Sequence, residues 1–140
     1  MIPFFRPNMG EAEKAAAINC IERGWLTSGP KMREFEAELA KRVQAEHVVA
    51  LNSNTAGLHL VLLTLNLKPE DEVIVPAITF VATAETVRAV GAKVVLCDVD
   101  FDTRNMTLET VKAVATPQTK ALMMVHFAGQ APKDYVQIIS

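Results

Sequence analysis

VALNSNTAGLHLVLLTL, Val49 to Leu65, is a short apolar run, a polar turn and then an apolar run of helical length. The turn is Asn52-Ser53-Asn54-Thr55-Ala56-Gly57. A helix that starts near Thr55 aims its unpaired backbone N–H groups at whatever precedes it. Those donors, reinforced by the helix dipole, favour a phosphate. Ser53, Ala56 and Gly57 are small and let an anion come close to the backbone. Leu58, Leu60, Val61, Leu62, Leu63 and Leu65 make the helix apolar nearly all round, the pattern of a buried helix. The plainer reading is a strand–turn–helix with no ligand, since the turn is neither a Walker loop nor G-x-G-x-x-G.

The neighbouring sequence repeats this alternation. Strands are expected at His47–Leu51, Glu72–Pro76, Lys93–Val99 and Lys120–His126, all short runs of Val, Ile, Leu or Met. Such runs suit strands covered on both faces. Helices are expected at Thr55–Leu65, Thr79–Val90 and Thr107–Ala115, with a last one over Lys133–Ile139. Alternating units of this length imply an α/β fold, a mostly parallel sheet with right-handed crossovers and flanking helices. Ligands of such sheets bind at the carboxyl ends of the strands.

Ahead of the sheet, Met1–Pro7 contains two prolines and forms a non-helical arm expected to lie across another surface. Gly10–Arg23 is helical, closed by Gly24. Trp25–Pro30 is a loop, and Pro30 opens a second helix over PKMREFEAELAKRVQAE, Pro30–Glu46. Its apolar positions Met32, Phe35, Leu39 and Val43 recur at helical spacing, so it is amphipathic.

The 140 residues suffice for roughly one domain. A hydrophobic half, 21% charged residues and a net charge of −2 with interspersed signs argue against nucleic acid and anionic membranes as partners. Cys20 and Cys97 lie far apart without zinc or C-x-x-C spacing, and read as small buried apolar residues in a reducing compartment. No signal peptide and no spanning apolar run occurs, so a cytoplasmic location is expected.

The strand mouths offer isolated groups. Phe80, after EVIVP, stacks on a flat heterocycle or fills the core. Asp98 and Asp100 bind ribose or metal, or cap a turn. His126 is a base or a hydrogen-bonded structural residue. With His47 and His59 it is too scattered for a metal site. These residues by themselves give an anion site at Ser53–Ala56 and no reaction.

Taken together, PFFRPNMG, GWLTSGP with KMREFE, LNSNTAGLHL, DEVIVPAITFVATAETVRAVGAKVVLCDVD and TPQTKALMMVHFAGQAP resemble the DegT/DnrJ/EryC1/StrS aminotransferases over Ile2 to about Tyr135. The resemblance implies the large domain of the aspartate-aminotransferase fold and pyridoxal 5'-phosphate as cofactor. It also implies amination of nucleotide-linked keto-sugars by an amino acid, glutamate, in a homodimer serving polysaccharide or lipopolysaccharide synthesis. The MG, TAGLH and VHFAG segments look most similar to the 4-amino-4-deoxy-L-arabinose branch.

By that resemblance, the turn Ser53, Asn54, Thr55 and Ala56 holds the cofactor phosphate, chiefly through the Thr55 and Ala56 amides. Phe80 stacks on the cofactor ring. Trp25, Thr27 and Ser28 face the sugar or the partner subunit. Asn54 departs from the small residue usual at its place and loosens the turn. No catalytic residue is assigned. The family's Schiff-base lysine and the aspartate that pairs with the ring nitrogen lie downstream of Ser140, and none of the lysines here (14, 31, 41, 68, 93, 112, 120, 133) matches. A histidine at that downstream place would instead mark the family's dehydratases.

The family sheet places its second strand between the third and fourth and separates the first from them by later strands. Residues 1–140 are therefore expected to be the amino-terminal part of the cofactor domain, with an arm and active-site loop over 1–30 and βα units over 47–140. As a truncated piece, or a non-catalytic fragment, it would expose apolar edges.

Overall fold

A computed structural model describes Pro3 and residues 5–139. Met1, Ile2 and Phe4 of the expected arm, and Ser140, lie outside the described residues. The chain divides into two compact units, residues 1–50 and 51–140.

In the first unit, residues 5–9 are non-helical and exposed. Helix α1 spans Glu11–Glu22; Gly10 N donates to Glu13 Oε2 at 2.7 Å and so closes the first turn. Gly24 follows with φ +72°, a conformation natural to glycine. Helix α2 spans Pro30–Val43, with proline in its first turn and Gln44 left-handed at its end. Neither helix contains a buried residue. On the stripe of α2, Met32 and Leu39 are half-buried while Phe35 and Val43 stay exposed. Two short helices lack a second layer to cover that face.

The strand expected at His47–Leu51 is absent among the described residues. A strand exists through its ladder, and no described strand pairs with this segment. Ala50 N instead donates to Glu36 Oε1 at 2.8 Å, and Val49 is exposed.

In the second unit the order is α3 (Asn54–Thr64), β1 (Glu72–Pro76), α4 (Ala82–Ala89), β2 (Lys93–Cys97), α5 (Leu108–Val114), β3 (Thr119–Leu122), a 3-10 turn (Phe127–Gly129) and α6 (Tyr135–Ile139). The sheet is parallel throughout, ordered β2-β1-β3. This is the expected order, with the second family strand between the third and the fourth.

Every residue of β1 is buried. Its period of two sends Val73 and Val75 to a cluster with Leu62 of α3 and Val87 of α4. Ile74 points the other way, to Cys97 and Met106, with Val111 and Val114 of α5 packed behind. Each such aliphatic side chain contributes roughly 1.5–3 kcal/mol by leaving water.

Several boundaries move from their expected places. β2 stops at Cys97 rather than Val99. β3 stops at Leu122 rather than His126, after a register shift opposite Glu72/Val73. One further ladder bond, Met123 N to Ile74 O at 2.8 Å, extends beyond it. The chain then turns through Ala128 and Gly129, both with positive φ. α4 begins at Ala82, because residues 77–81 form the turn out of β1.

The larger correction concerns α3. Only Leu62 is buried, while Leu60, Val61, Leu63 and Leu65 are exposed. One sheet face can cover only one side of a helix that is apolar all round. Cys97 is buried as expected, Cys20 only half-buried, and both are free thiols. No helix among the described residues is long and apolar enough to cross a membrane.

Candidate functional site

α3 begins with Ser53 in an extended conformation as its cap. Ser53 Oγ accepts from Ala56 N at 3.1 Å, and Ser53 O accepts from Gly57 N at 3.3 Å. The Asn54 and Thr55 amides donate to no partner among the described residues. The Ala56 amide, expected on a phosphate, is thus already held by the cap, whereas Thr55 N–H is available. Serine is a preferred cap because its short side chain reaches the first-turn amides. Ser53, Thr55 and Ala56 line a cavity of about 450 Å³ together with Asn52, His59, Glu85 and Thr86.

Phe80 is 76% exposed, so it is not a core phenylalanine. The exit from β1 places it there: Ala77 N is fixed to Cys97 O at 2.8 Å, and Thr83 N bonds Phe80 O at 3.0 Å. Thr79 and Thr83 hydroxyls share a hydrogen bond of 2.8 Å across the same turn. Phe80 and Asn54 line one cavity of about 540 Å³, whose floor includes Leu58, Leu62, Met123, Met124 and Val125. The structure therefore brings Asn54 and Phe80 to one cavity at the carboxyl end of the sheet, whereas Ser53, Thr55 and Ala56 line a separate one.

Trp25, Thr27 and Ser28 belong to the first unit. Trp25 and Thr27 line a small cavity of about 120 Å³ there, with Arg23, Lys31 and Glu34. Ser28 is exposed and outside it. A Cβ at Gly29 would come within 3.0 Å of the Trp25 ring, so glycine lets the indole lie on the backbone.

Asp98 and Asp100 serve the turn after β2. Asp98 Oδ1 accepts from Val99 N at 2.8 Å. Asp100 Oδ1 accepts from Asp102 N, Thr103 N and Thr103 Oγ1. The Thr103 amide, then its hydroxyl, hold the Asp100 carboxyl below the ordinary aspartate range. His126 is exposed and meets Tyr135 edge-on, ring centres 6.0 Å apart.

Asn105 escapes a sequence reading altogether. It is 2% exposed, and its amide joins Phe127 N and Gln130 O, each at 3.0 Å. An asparagine in a polar loop reads as a turn residue, and nothing local signals partners so far along the chain. Glu72 is similar. It reads as a strand boundary, yet its carboxylate is buried against Lys93 and Thr116.

The DegT/DnrJ/EryC1/StrS aminotransferase family model matches residues 7–138. Among solved structures, the chain is similar to Spr1654 from Streptococcus pneumoniae, named as a sugar aminotransferase and solved in its PMP form. There the identity is 38% and the TM-score 0.89, over 97% of this chain and 35% of that one. It is similar to the aminotransferase from Psychrobacter cryohalolentis at 33% identity and TM-score 0.86, covering 96% and 35% of the two chains. It also resembles the E. coli GDP-4-keto-6-deoxy-D-mannose-3-dehydratase with bound hydrated PLP, at 26% identity and TM-score 0.81, covering 87% and 33%. The chain thus spans about a third of the length of these relatives, and its sheet and flanking helices are part of the aspartate-aminotransferase-like fold they share. With residues 7–138 matched, the chain belongs to the DegT/DnrJ/EryC1/StrS aminotransferase family.

Proposed function

We propose that this chain supplies the phosphate and ring contacts of a pyridoxal-phosphate enzyme. The reaction is transfer of an amino group from an amino acid, glutamate, to a nucleotide-linked keto-sugar. The observation that carries this is the exposed Phe80 sharing a cavity with Asn54, at the first turn of α3. An aromatic left 76% exposed at a strand mouth has a free face to stack on a flat ring.

The donor chemistry fits the group. Thr55 N–H points from a helix start whose dipole favours a dianion. Ser53 Oγ accepts from Ala56 N, which leaves its own proton to donate to a phosphate oxygen. The apolar floor of the cavity excludes water from one face of a ring. When bound, pyridoxal phosphate supplies an electron sink for bond changes at the amino-acid carbon. Trp25, Thr27 and Ser28 are assigned to the sugar or to a second subunit of a homodimer, by resemblance. The MG, TAGLH and VHFAG segments favour a 4-keto-pentose carried on UDP. In the family the proton-shuttling lysine follows these residues in the chain.

Pyridoxal phosphate titration tests the contacts: saturable, reversible binding is expected, and borohydride should not fix the cofactor to a site lysine of this chain. Linear, non-saturating uptake would overturn the assignment. The similarity to the E. coli dehydratase favours a second reading, sugar dehydration. Coding sequence downstream of Ser140 separates the two, with lysine marking amino transfer and histidine dehydration.

A further inference from the structure

We propose that Asn105 is a positioning residue that holds the wall of the Phe80 cavity in place; this rests on the cofactor assignment above. β3 ends at Leu122, and Met123 N to Ile74 O is its last ladder bond, 2.8 Å. Met124 and Val125 still line the cavity, but no strand pairing fixes them. Their next anchor along the chain is Phe127 N, which donates to Asn105 Oδ1 at 3.0 Å. Asn105 Nδ2 donates to Gln130 O at 3.0 Å and closes the far side of the turn. Met124 also packs against the cluster of Ile74, Cys97 and Met106, so beyond the sheet the backbone of the wall is fixed by hydrogen bonding only at Phe127, by a single side chain.

The anchor is itself rigid. Asn105 is 2% exposed, its carbonyl accepts from Asp100 N at 2.9 Å, and its amide bonds Thr103 Oγ1 at 3.3 Å. Between its two bonds lie Ala128 and Gly129, at φ +53° and +80°. A non-glycine residue in the left-handed region is held there by its surroundings. Asparagine has one acceptor and one donor end, and both are used. No residue of the turn needs to touch the cofactor for Asn105 to act; it acts through Met124 and Val125.

The test measures amide hydrogen exchange and pyridoxal phosphate affinity on the full chain and on Asn105→Ala and Asn105→Asp. In Asn105→Ala the Phe127 amide should exchange about fivefold to tenfold faster, as loss of one hydrogen bond implies. Central-strand amides of β1 should not change, and cofactor affinity should fall in parallel. Asn105→Asp keeps the acceptor for Phe127 N and should restore its protection, with affinity between the other two. Should the alanine variant unfold, the aspartate variant decides on the same two readouts. Unchanged exchange at Phe127 overturns the proposal, as does faster exchange with unchanged affinity. If the unaltered chain shows no saturable binding, the cofactor assignment fails and this inference with it. That outcome is distinct from a clamp that fails in a chain that does bind.

Discussion

Lys93 Nζ lies 2.7 Å from Glu72 Oε1, and the two residues are register partners at the start of the parallel β1–β2 ladder. Thr116 Oγ1 donates to the other carboxylate oxygen at 2.6 Å, from the turn that leads into β3. One carboxylate thus ties the amino ends of all three strands. Its side chain is 8% exposed, whereas that of Lys93 is 62% exposed. The Lys93 hydrogen bond, then that of Thr116, hold the Glu72 carboxyl below the ordinary glutamate range.

A depressed carboxyl stabilises the fold at pH above its unfolded value, about 4.3, and that contribution is lost as pH falls through the folded value. Glu72→Gln should therefore be less stable than the parent at neutral pH and lose less on acidification. Urea midpoints from neutral to strongly acid pH check this. Parallel pH curves for parent and variant would contradict it.

Ser53→Ala removes the cap of α3 and should cost about 1 kcal/mol by denaturant titration. Ser53→Asp keeps an acceptor for Ala56 N but sets a negative charge beside the expected phosphate. It should retain stability and lose cofactor binding. Equal binding by the aspartate variant would place the phosphate elsewhere.

Phe80→Ala should change stability by less than about 0.5 kcal/mol, since the ring is exposed. Its pyridoxal phosphate affinity should drop by roughly twofold to tenfold, the size of one aromatic stacking contact. A large stability loss with unchanged affinity would return Phe80 to the core.

Ile74→Ala, at a position 1% exposed, should cost about 2–5 kcal/mol through the cavity it leaves. Leu60→Glu on the uncovered face of α3 should cost little and reduce concentration-dependent association. Light scattering together with thermal melts distinguishes the two effects.

Burial raises the Cys97 thiol above its ordinary pKa, with smaller opposing help from the Thr110 hydroxyl. Cys20 is half-buried. Iodoacetamide should label Cys20 first, and Cys97 only as the chain opens. Peptide mass mapping at short times reads the order directly, and equal labelling of both would show that the second core cluster opens readily.

Much of this was legible because it is local. Gly10–Arg23, Pro30 and EVIVP carry their own caps, breaks and periodicity; α1 and β1 lie within a residue of where those signals put them, and α2 starts at Pro30 but ends at Val43, three residues before the expected Glu46. The family was legible from several motifs in a fixed order and spacing. The strand expected at His47–Leu51 and the expected burial of α3 are both missing for one reason. An apolar run states that it would be buried if something covered it, and only the other layers determine whether anything does.

The amino-acid sequence by itself determined the α/β alternation, the helix-start turn at Ser53–Ala56 and the family, since each is written in neighbouring residues. Only the tertiary structure decided that Phe80 is exposed, that Glu72 joins three strands and that Asn105 bridges to Phe127 and Gln130. Those depend on which distant backbone groups meet a buried polar atom. A buried polar group must find partners wherever the fold puts them, and sequence spacing does not encode that distance.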